Sequence, residues 1–358
     1  MDDIMQPDRR SLFAEQPLNF TGTGGEYFRI WIVNLLLTIV TLGIYSAWAK
    51  VRRLQYFYRH TEVAGSSFDF HGNPVRILIG RIVALVMLGL YNYTIRLQSI
   101  WTVVVLVALA IIVPGLLRNS LRFRLYNTSW RGTRFHFRGS VGGAYRVFLL
   151  FPILSLVTLY GLAPFTHQRI KAYQHGNSWF GTTPFSFNAG VGRFYLAYLL
   201  VVAGIVGFFI LGAFLGLGSV LAVFLPGKAG GMINPKAIFT ALATLWAVGI
   251  VLGLSIGSVF HVVMTNLIWS NTKLGEHRID SDLEILPLLW IGVSNFVLVV
   301  VTLGFFTPWA MVRLARYQIG CITILPDGAP LEFVDAGPED IGAVGEEAAS
   351  IFDIDIAL

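Results

Sequence analysis

Several stretches of this chain run close to 20 residues without a charge, and two of them, residues 30–49 and 102–114, are apolar on every side. That feature constrains the fold more than any other. A run of about 20 apolar residues matches the roughly 30 Å hydrocarbon layer of a bilayer. Inside that layer every backbone N–H and C=O must be satisfied internally, so helices and closed barrels are the two spanning solutions. A barrel strand alternates apolar and polar residues, and these runs do not. Composition agrees, because 13% of the residues are charged against about 25% in soluble domains. The reading is therefore an all-α integral membrane protein. Seven transmembrane helices are expected near 28–48, 74–93, 98–117, 146–165, 193–225, 237–264 and 286–311.

The first of these has a second interpretation. Arg29, an apolar run and then Ala47, Trp48 and Ala49 resemble a cleaved secretion signal. Signal cores are about 7–15 residues long, and this run is longer. A similar Trp-Ala step returns at Trp309 and Ala310, so the segment is read as structural and retained.

Internal repetition is the next signal. Thr41, Leu42 and Gly43 lead to Trp48, Val51, Arg52 and Tyr56. An offset of 261 residues gives Thr302, Leu303, Gly304, Trp309, Val312, Arg313 and Tyr317, and an offset of 117 gives Thr158, Leu159, Arg169 and Tyr173. Pro114, Pro164 and Pro308 are read as equivalent kinks. A second element places aromatics on alternate residues before a glycine: Phe68, Phe70 and Gly72, then Phe135, Phe137 and Gly139, with relatives at Leu18 to Gly22, Phe185 to Phe187 and Leu331 to Phe333. Period-two alternation over five residues indicates short half-buried strands, expected as β elements at the membrane interface. Single-helix modules then alternate with two-helix modules, which would invert the middle single-helix copy. Inverted repeats are common in secondary transporters.

These repeated motifs and the multi-pass layout resemble the YjgN-like family of bacterial multi-pass inner-membrane proteins, grouped as a domain of unknown function. The resemblance covers roughly residues 18–334. It implies a location and a topology class, and it carries no activity and no functional residues. The chain divides accordingly into a polar tail over 1–17, a membrane domain over 18–334 and an acidic tail over 335–358, read as disordered and as a surface for a protein partner.

Charge is distributed unevenly. No Asp or Glu occurs between Phe70 and Gly275, whereas that stretch holds sixteen Lys and Arg. Arg118, Arg122, Arg124, Arg131, Arg134 and Arg138 form the densest cluster. The positive-inside rule places that cluster in the cytoplasm. With seven spans, this predicts the N-terminus outside and the C-terminus cytoplasmic. Beside apolar helices the six arginines are expected to meet phosphates of anionic lipid rather than nucleic acid.

Arg76 and Arg81 open the second apolar run. Arg81 lies deeper, where an arginine needs a partner or water, and the pair is the candidate ligand site. His167, His175 and His261 share no motif and read as packing residues. Cys321 is the single cysteine, which rules out a disulfide framework or a multi-Cys zinc site. No nucleotide-binding, metalloprotease or serine-hydrolase signature is present. The sequence therefore implies no cofactor, no metal and no enzyme. It leaves two functions: a transporter or channel for a small anionic or neutral solute, or a non-transporting envelope protein that binds anionic lipid or scaffolds membrane partners.

Overall fold

The computed structural model describes residues 15–97, 100–224, 235–327 and 333–334, which excludes the acidic tail. Its organising element is an antiparallel sheet of eleven short strands. They are β1 (Gln16–Pro17), β2 (Asn19–Phe20), β3 (Thr61–Val63), β4 (Ser66–Phe70), β5 (Thr128–Trp130), β6 (Thr133–Phe137), β7 (Ser178–Phe180), β8 (Thr183–Phe187), β9 (Thr272–Leu274), β10 (His277–Ser281) and β11 (Ile322–Leu325). The strand order is β1-β11-β10-β9-β8-β7-β6-β5-β4-β3-β2. The two ends of that series, β1 and β2, are consecutive in the chain. Gln16 and Pro17 pair with β11, Asn19 and Phe20 pair with β3, and the Leu18 N–H donates to the Ile322 carbonyl at 2.9 Å. The sheet therefore closes on itself through Leu18 and leaves no open edge. Its interior is apolar, filled by Leu18, Val63, Phe68, Trp130, Phe135, Phe180, Phe185, Leu274, Ile279 and Ile322.

Tight two-residue turns join β3 to β4, β5 to β6, β7 to β8 and β9 to β10. Ala64 and Gly65, and Arg131 and Gly132, adopt positive φ in the first two, as the right-handed strand twist requires of such turns. Apart from Leu18 between β1 and β2, every other connection between strands is helical. The helices are α1 (Gly24–Val40), α2 (Ser46–Arg59), α3 (Pro74–Arg96), α4 (Trp101–Tyr126), α5 (Val141–Tyr145), α6 (Phe151–Val157), α7 (Ala163–Gly176), α8 (Val191–Phe224), α9 (Pro235–Trp269), α10 (Ile285–Val301) and α11 (Thr307–Gly320). A π turn at Arg146–Leu150 joins α5 to α6 into one rod. Five helical hairpins result, and in an antiparallel sheet their placement follows from connectivity. All the tight turns lie at one end of the sheet, and all the helical hairpins leave from and return to the other. Neighbouring hairpins touch in sequence around the ring: α2 meets α3, α4 meets α5, α7 meets α8, α9 meets α10, and α11 closes on α1.

This architecture corrects the all-α, seven-helix expectation. The strands are one continuous sheet rather than scattered interface elements. Three described helices, Pro74–Arg96, Trp101–Tyr126 and Leu252–Trp269, are long and apolar enough to cross a membrane. The expected continuous helices at 28–48, 146–165 and 286–311 are each broken by the Thr-Leu motif. Leu42 and Gly43, Leu159 and Tyr160, and Leu303 and Gly304 all take positive φ, and the chain turns back. The Gly43 N–H donates to the Thr38 carbonyl at 2.8 Å and the Gly304 N–H to Val299 at 2.7 Å, which closes the helix end as in a Schellman motif. The threonine hydroxyl then caps the next turn, accepting from Tyr45 at 2.9 Å or Phe306 at 2.9 Å. Pro164 and Pro308 start the return helices α7 and α11, where the missing N–H costs nothing. Pro114 lies inside α4, so the three prolines are not equivalent.

Two topological expectations fall with the continuous helices. Each presumed single-helix module is a hairpin that returns to the same end of the sheet, so the middle copy is not inverted. The described ends of the chain also lie on one side, because β1 pairs with β11, which overturns the opposed N- and C-termini.

Candidate functional site

Where the helices join the sheet, the repeated residues acquire physical roles. The rings of Phe20, Phe70 and Phe137 fold over the glycine two positions later, so that a Cβ at Gly22, Gly72 or Gly139 would overlap them. The tyrosine that ends the longer motif ties each short hairpin shut. Tyr56 donates to the Thr23 carbonyl and accepts from its N–H, both at 2.8 Å. Tyr173 donates to the Ser140 carbonyl at 2.8 Å. Tyr317 accepts from the Glu284 N–H at 2.8 Å and donates to its carbonyl at 3.1 Å.

Beside the first of these ties lies an open crevice of about 480 Å³, lined by Arg29, Ile30 and Val33 of α1, by Arg52, Gln55, Tyr56 and Arg59 of α2, and by His60. Residues 52, 55, 56 and 59 share one helix face by their i, i+3, i+4, i+7 spacing. Arg59 pairs with Asp69 of β4 through Nε to Oδ1 at 2.8 Å and Nη2 to Oδ2 at 3.4 Å. Partial burial pushes the Asp69 carboxyl up, but the Arg59 hydrogen bond, the Phe70 N–H and the Arg59 charge outweigh it and hold Asp69 below its usual value. Gln55 is anchored to the Phe70 carbonyl at 3.2 Å, and His60 Nδ1 lies 2.7 Å from the Tyr56 carbonyl.

Arg52 and Arg29 are not used in this way. Arg52 lies over the Tyr45 ring at 5.7 Å, and Arg29 is exposed on α1. The position 261 residues beyond Arg52 shows the alternative. There Arg313 donates to Asn295 Oδ1 at 2.8 Å and to Ser294 Oγ at 3.1 Å. Asn34, the counterpart of Asn295, is buried with its Oδ1 unpaired among the described residues. The first hairpin thus presents two arginines to the crevice, together with the apolar wall of Ile30 and Val33. Above that wall the exposed Leu36, Ile39 and Val40 continue along α1. A basic mouth opening onto an apolar slope suits an amphiphile with an anionic head.

The arginines expected to form sites are dispersed. Arg81 donates to Ser46 Oγ at the start of α2, so it braces the neighbouring hairpin, while Arg76 is exposed one turn before it. Arg118 donates to the Gly139 carbonyl at 2.6 Å. Arg122 and Arg124 lie on the last turns of α4. Arg134 stacks on Tyr126 at 4.7 Å and Arg138 on Trp179 at 4.3 Å. Arg131 lies over Trp130 at 4.3 Å in the β5–β6 turn and donates to the Ala64 carbonyl at 2.6 Å. That turn is at the opposite end of the sheet from the helices, a strand of five residues or about 17 Å away. The cluster that is continuous in sequence is therefore divided between two ends of the sheet. The crevice itself was not singled out in the sequence, although the spacing of Arg52, Tyr56 and Arg59 marks one face of α2. His175 packs between Phe187 and Trp269, and burial lowers its pKa to about 3.

A closed sheet carrying a ring of helical hairpins, with three helices among the described residues apolar enough to cross a bilayer, defines the class: a helical-hairpin protein with a basic crevice where sheet and helices meet. The chain belongs to the family of bacterial proteins of unknown function DUF898, whose model matches residues 15–351. The resemblance carried by the repeated motifs agrees with this. The inner membrane protein YjgN of Salmonella typhimurium strain LT2 is 25% identical over 346 residues, covering 84% of this chain and 86% of that protein. The proteins of the same name from Escherichia coli K12 and O157:H7 are 26% and 25% identical, over 74% of this chain and 52% of theirs. The match thus spans about half the length of those two relatives. No solved structure matches.

Proposed function

We propose that this chain is a bacterial inner-membrane protein that inserts its helical hairpins into the bilayer, keeps its sheet at the cytoplasmic face, and binds the head group of an anionic lipid in the crevice of Arg29, Arg52, Gln55, Arg59 and His60. The crevice carries the proposal. It combines two arginines that make no hydrogen bond among the described residues with an apolar wall, at the level where helices leave the sheet. Arg29 lies about 8 Å along α1 from that junction at 1.5 Å per residue, a depth suited to phosphate. The names of the relatives support the location. The charge pattern supports the orientation, since Arg96 and Lys236 are the described basic residues in the outermost turn of a hairpin and most of the others lie nearer the sheet, with Lys50 in the second turn of α2 an exception. On this reading the C-terminal strand is cytoplasmic and the protein is a binding or scaffolding component rather than an enzyme.

A transporter is the second reading, favoured by the closed ring of helical hairpins. An aqueous path along the ring axis would have to cross the sheet interior, which Phe68, Trp130, Phe135, Phe180 and Phe185 fill. That places lipid binding first.

The test is native mass spectrometry of protein extracted from its membrane. Retained anionic phospholipid should be lost with Arg29→Gln and Arg52→Gln together. About 1 kcal/mol per basic residue near a head group makes each change about a five-fold loss. Equal retention of zwitterionic and anionic lipid, or no loss in the double variant, would remove the crevice from the argument. Solute release from proteoliposomes would support transport instead.

A further inference from the structure

At the turn end of the sheet the interior is not sealed by the strands themselves. A cavity of about 60 Å³, lined wholly by apolar atoms, remains beneath the mouth. The residue that covers it comes from outside the sheet. Phe333 packs against Phe180 at 4.8 Å, His277 at 5.8 Å and Trp130 at 6.3 Å between ring centroids, each edge-on. Beside it the Val334 carbonyl accepts a hydrogen bond from the Thr182 N–H in the β7–β8 turn at 3.0 Å. Val334 itself is 69% exposed, so one ring and one carbonyl do the binding.

The sheet is shaped to admit this segment. A Cβ at Gly181 would overlap the Val334 carbonyl. The turn conformation alone does not demand glycine there. Ala64 and Arg131 hold φ of 49° and 50° at the same place in their turns, against 55° for Gly181. The missing side chain therefore serves the close approach of a second backbone.

We infer that the turn-end mouth of the sheet is a docking site for an extended peptide led by an aromatic residue, and that Phe333 and Val334 fill it in cis. An aromatic anchor in an apolar pocket plus a main-chain hydrogen bond to a neighbouring strand turn are recognition elements that any such peptide supplies. Among the described residues the cavity lining is apolar, so the residue entering it is apolar. A partner peptide gains access when the chain's own segment withdraws, and the occupied state is the closed one. The inference is independent of the lipid crevice, which lies at the opposite end of the sheet.

Fluorescence anisotropy of a fluorescein-labelled peptide of residues 329–337 tests it on the full-length protein. The Phe333→Ala chain should bind the peptide at least ten-fold more tightly than the wild type, whose site is already filled. The same peptide with alanine in place of its phenylalanine keeps its acidic residues and should bind neither. Adding Gly181→Val to Phe333→Ala should abolish binding. Equal binding to both chains, or no binding by a Phe333→Ala chain with wild-type melting, overturns the inference. A measurement on the unaltered protein covers the case in which the variant misfolds. Excess peptide should speed proteolytic cleavage beside Phe333, and unchanged cleavage rejects the docking site.

Discussion

At the scale of single residues, the tyrosines show how a motif becomes a joint. Tyr56, Tyr173 and Tyr317 each reach back 33 residues to the first turn of their own hairpin. Tyr173→Phe keeps the ring against Phe137 and Phe148 and removes the hydroxyl that donates to the Ser140 carbonyl and meets Arg118. A net hydrogen bond contributes about 1 kcal/mol, so thermal unfolding in detergent should show a loss of that size. A loss near zero would mean that ring packing alone closes the hairpin. His175 adds a pH dependence. Its pKa falls from 6.5 to about 3 on burial, so between those values the unfolded chain binds the proton that the folded chain refuses. Stability from this group is complete above pH 6.5 and declines as pH falls toward 3. At pH 5 the loss approaches about 2 kcal/mol. His175→Gln should flatten the melting temperature between pH 7.5 and 5, and an unchanged slope would assign the acid sensitivity elsewhere. The positions of these residues were legible as repeats. Their partners were not, because a hydrogen bond across 33 residues depends on a chain reversal that apolar periodicity does not reveal.

At the scale of elements, that reversal decides the fold. Residues 30–49 are continuous in hydropathy, and hydropathy measures solvent preference without registering backbone direction. The informative signal was Thr-Leu-Gly, read as a repeat marker when it is a helix stop, a left-handed turn and a cap in three residues. Leu42, Leu159 and Leu303 stand at these tips 95%, 90% and 89% exposed. An exposed leucine at each tip is what the proposed insertion of the hairpins into hydrocarbon would favour. Asp at the centre of a membrane helix costs about 3 kcal/mol. Leu42→Asp combined with Leu303→Asp should therefore weaken retention in carbonate-washed membranes and lower the melting temperature in lipid. Unaltered retention and melting would place the tips in water. Gly43→Ala should cost about 1 kcal/mol, since a Cβ at φ +93° is strained. Strands β2, β4, β6 and β8 were legible from their alternating residues, β3, β5, β7, β9, β10 and β11 were not, and of the element expected at 331–333 the described residue Phe333 is not in a strand while 331 and 332 lie outside the described residues. The union of the strands into one sheet was not legible, because no single five-residue segment specifies its neighbour.

At the scale of the whole molecule, closure of the sheet determines topology more firmly than hydropathy does. If consecutive strands are antiparallel and joined alternately by tight turns and helical hairpins, all turns share one face, whatever the number of apolar segments between them. On the proposed placement in a bilayer, the uneven basic charge follows from architecture: residues near the sheet share one side, and the far tips hold few. Single cysteines placed at Gly65, Gly132 and Glu276, in a Cys321→Ser background, should all react with an impermeant maleimide from the cytoplasmic side of membrane vesicles and be protected on the other. Leu42→Cys and Leu303→Cys, buried in lipid, should react from neither. An alternating pattern along the chain would restore the inverted arrangement and dismantle the closed sheet, since its strands could not then hydrogen-bond in one ring. Uniform labelling from the opposite side would keep the ring, reverse its orientation, and move the arginine crevice to the outer leaflet. The choice between those outcomes rests on which end of one sheet faces the cytoplasm.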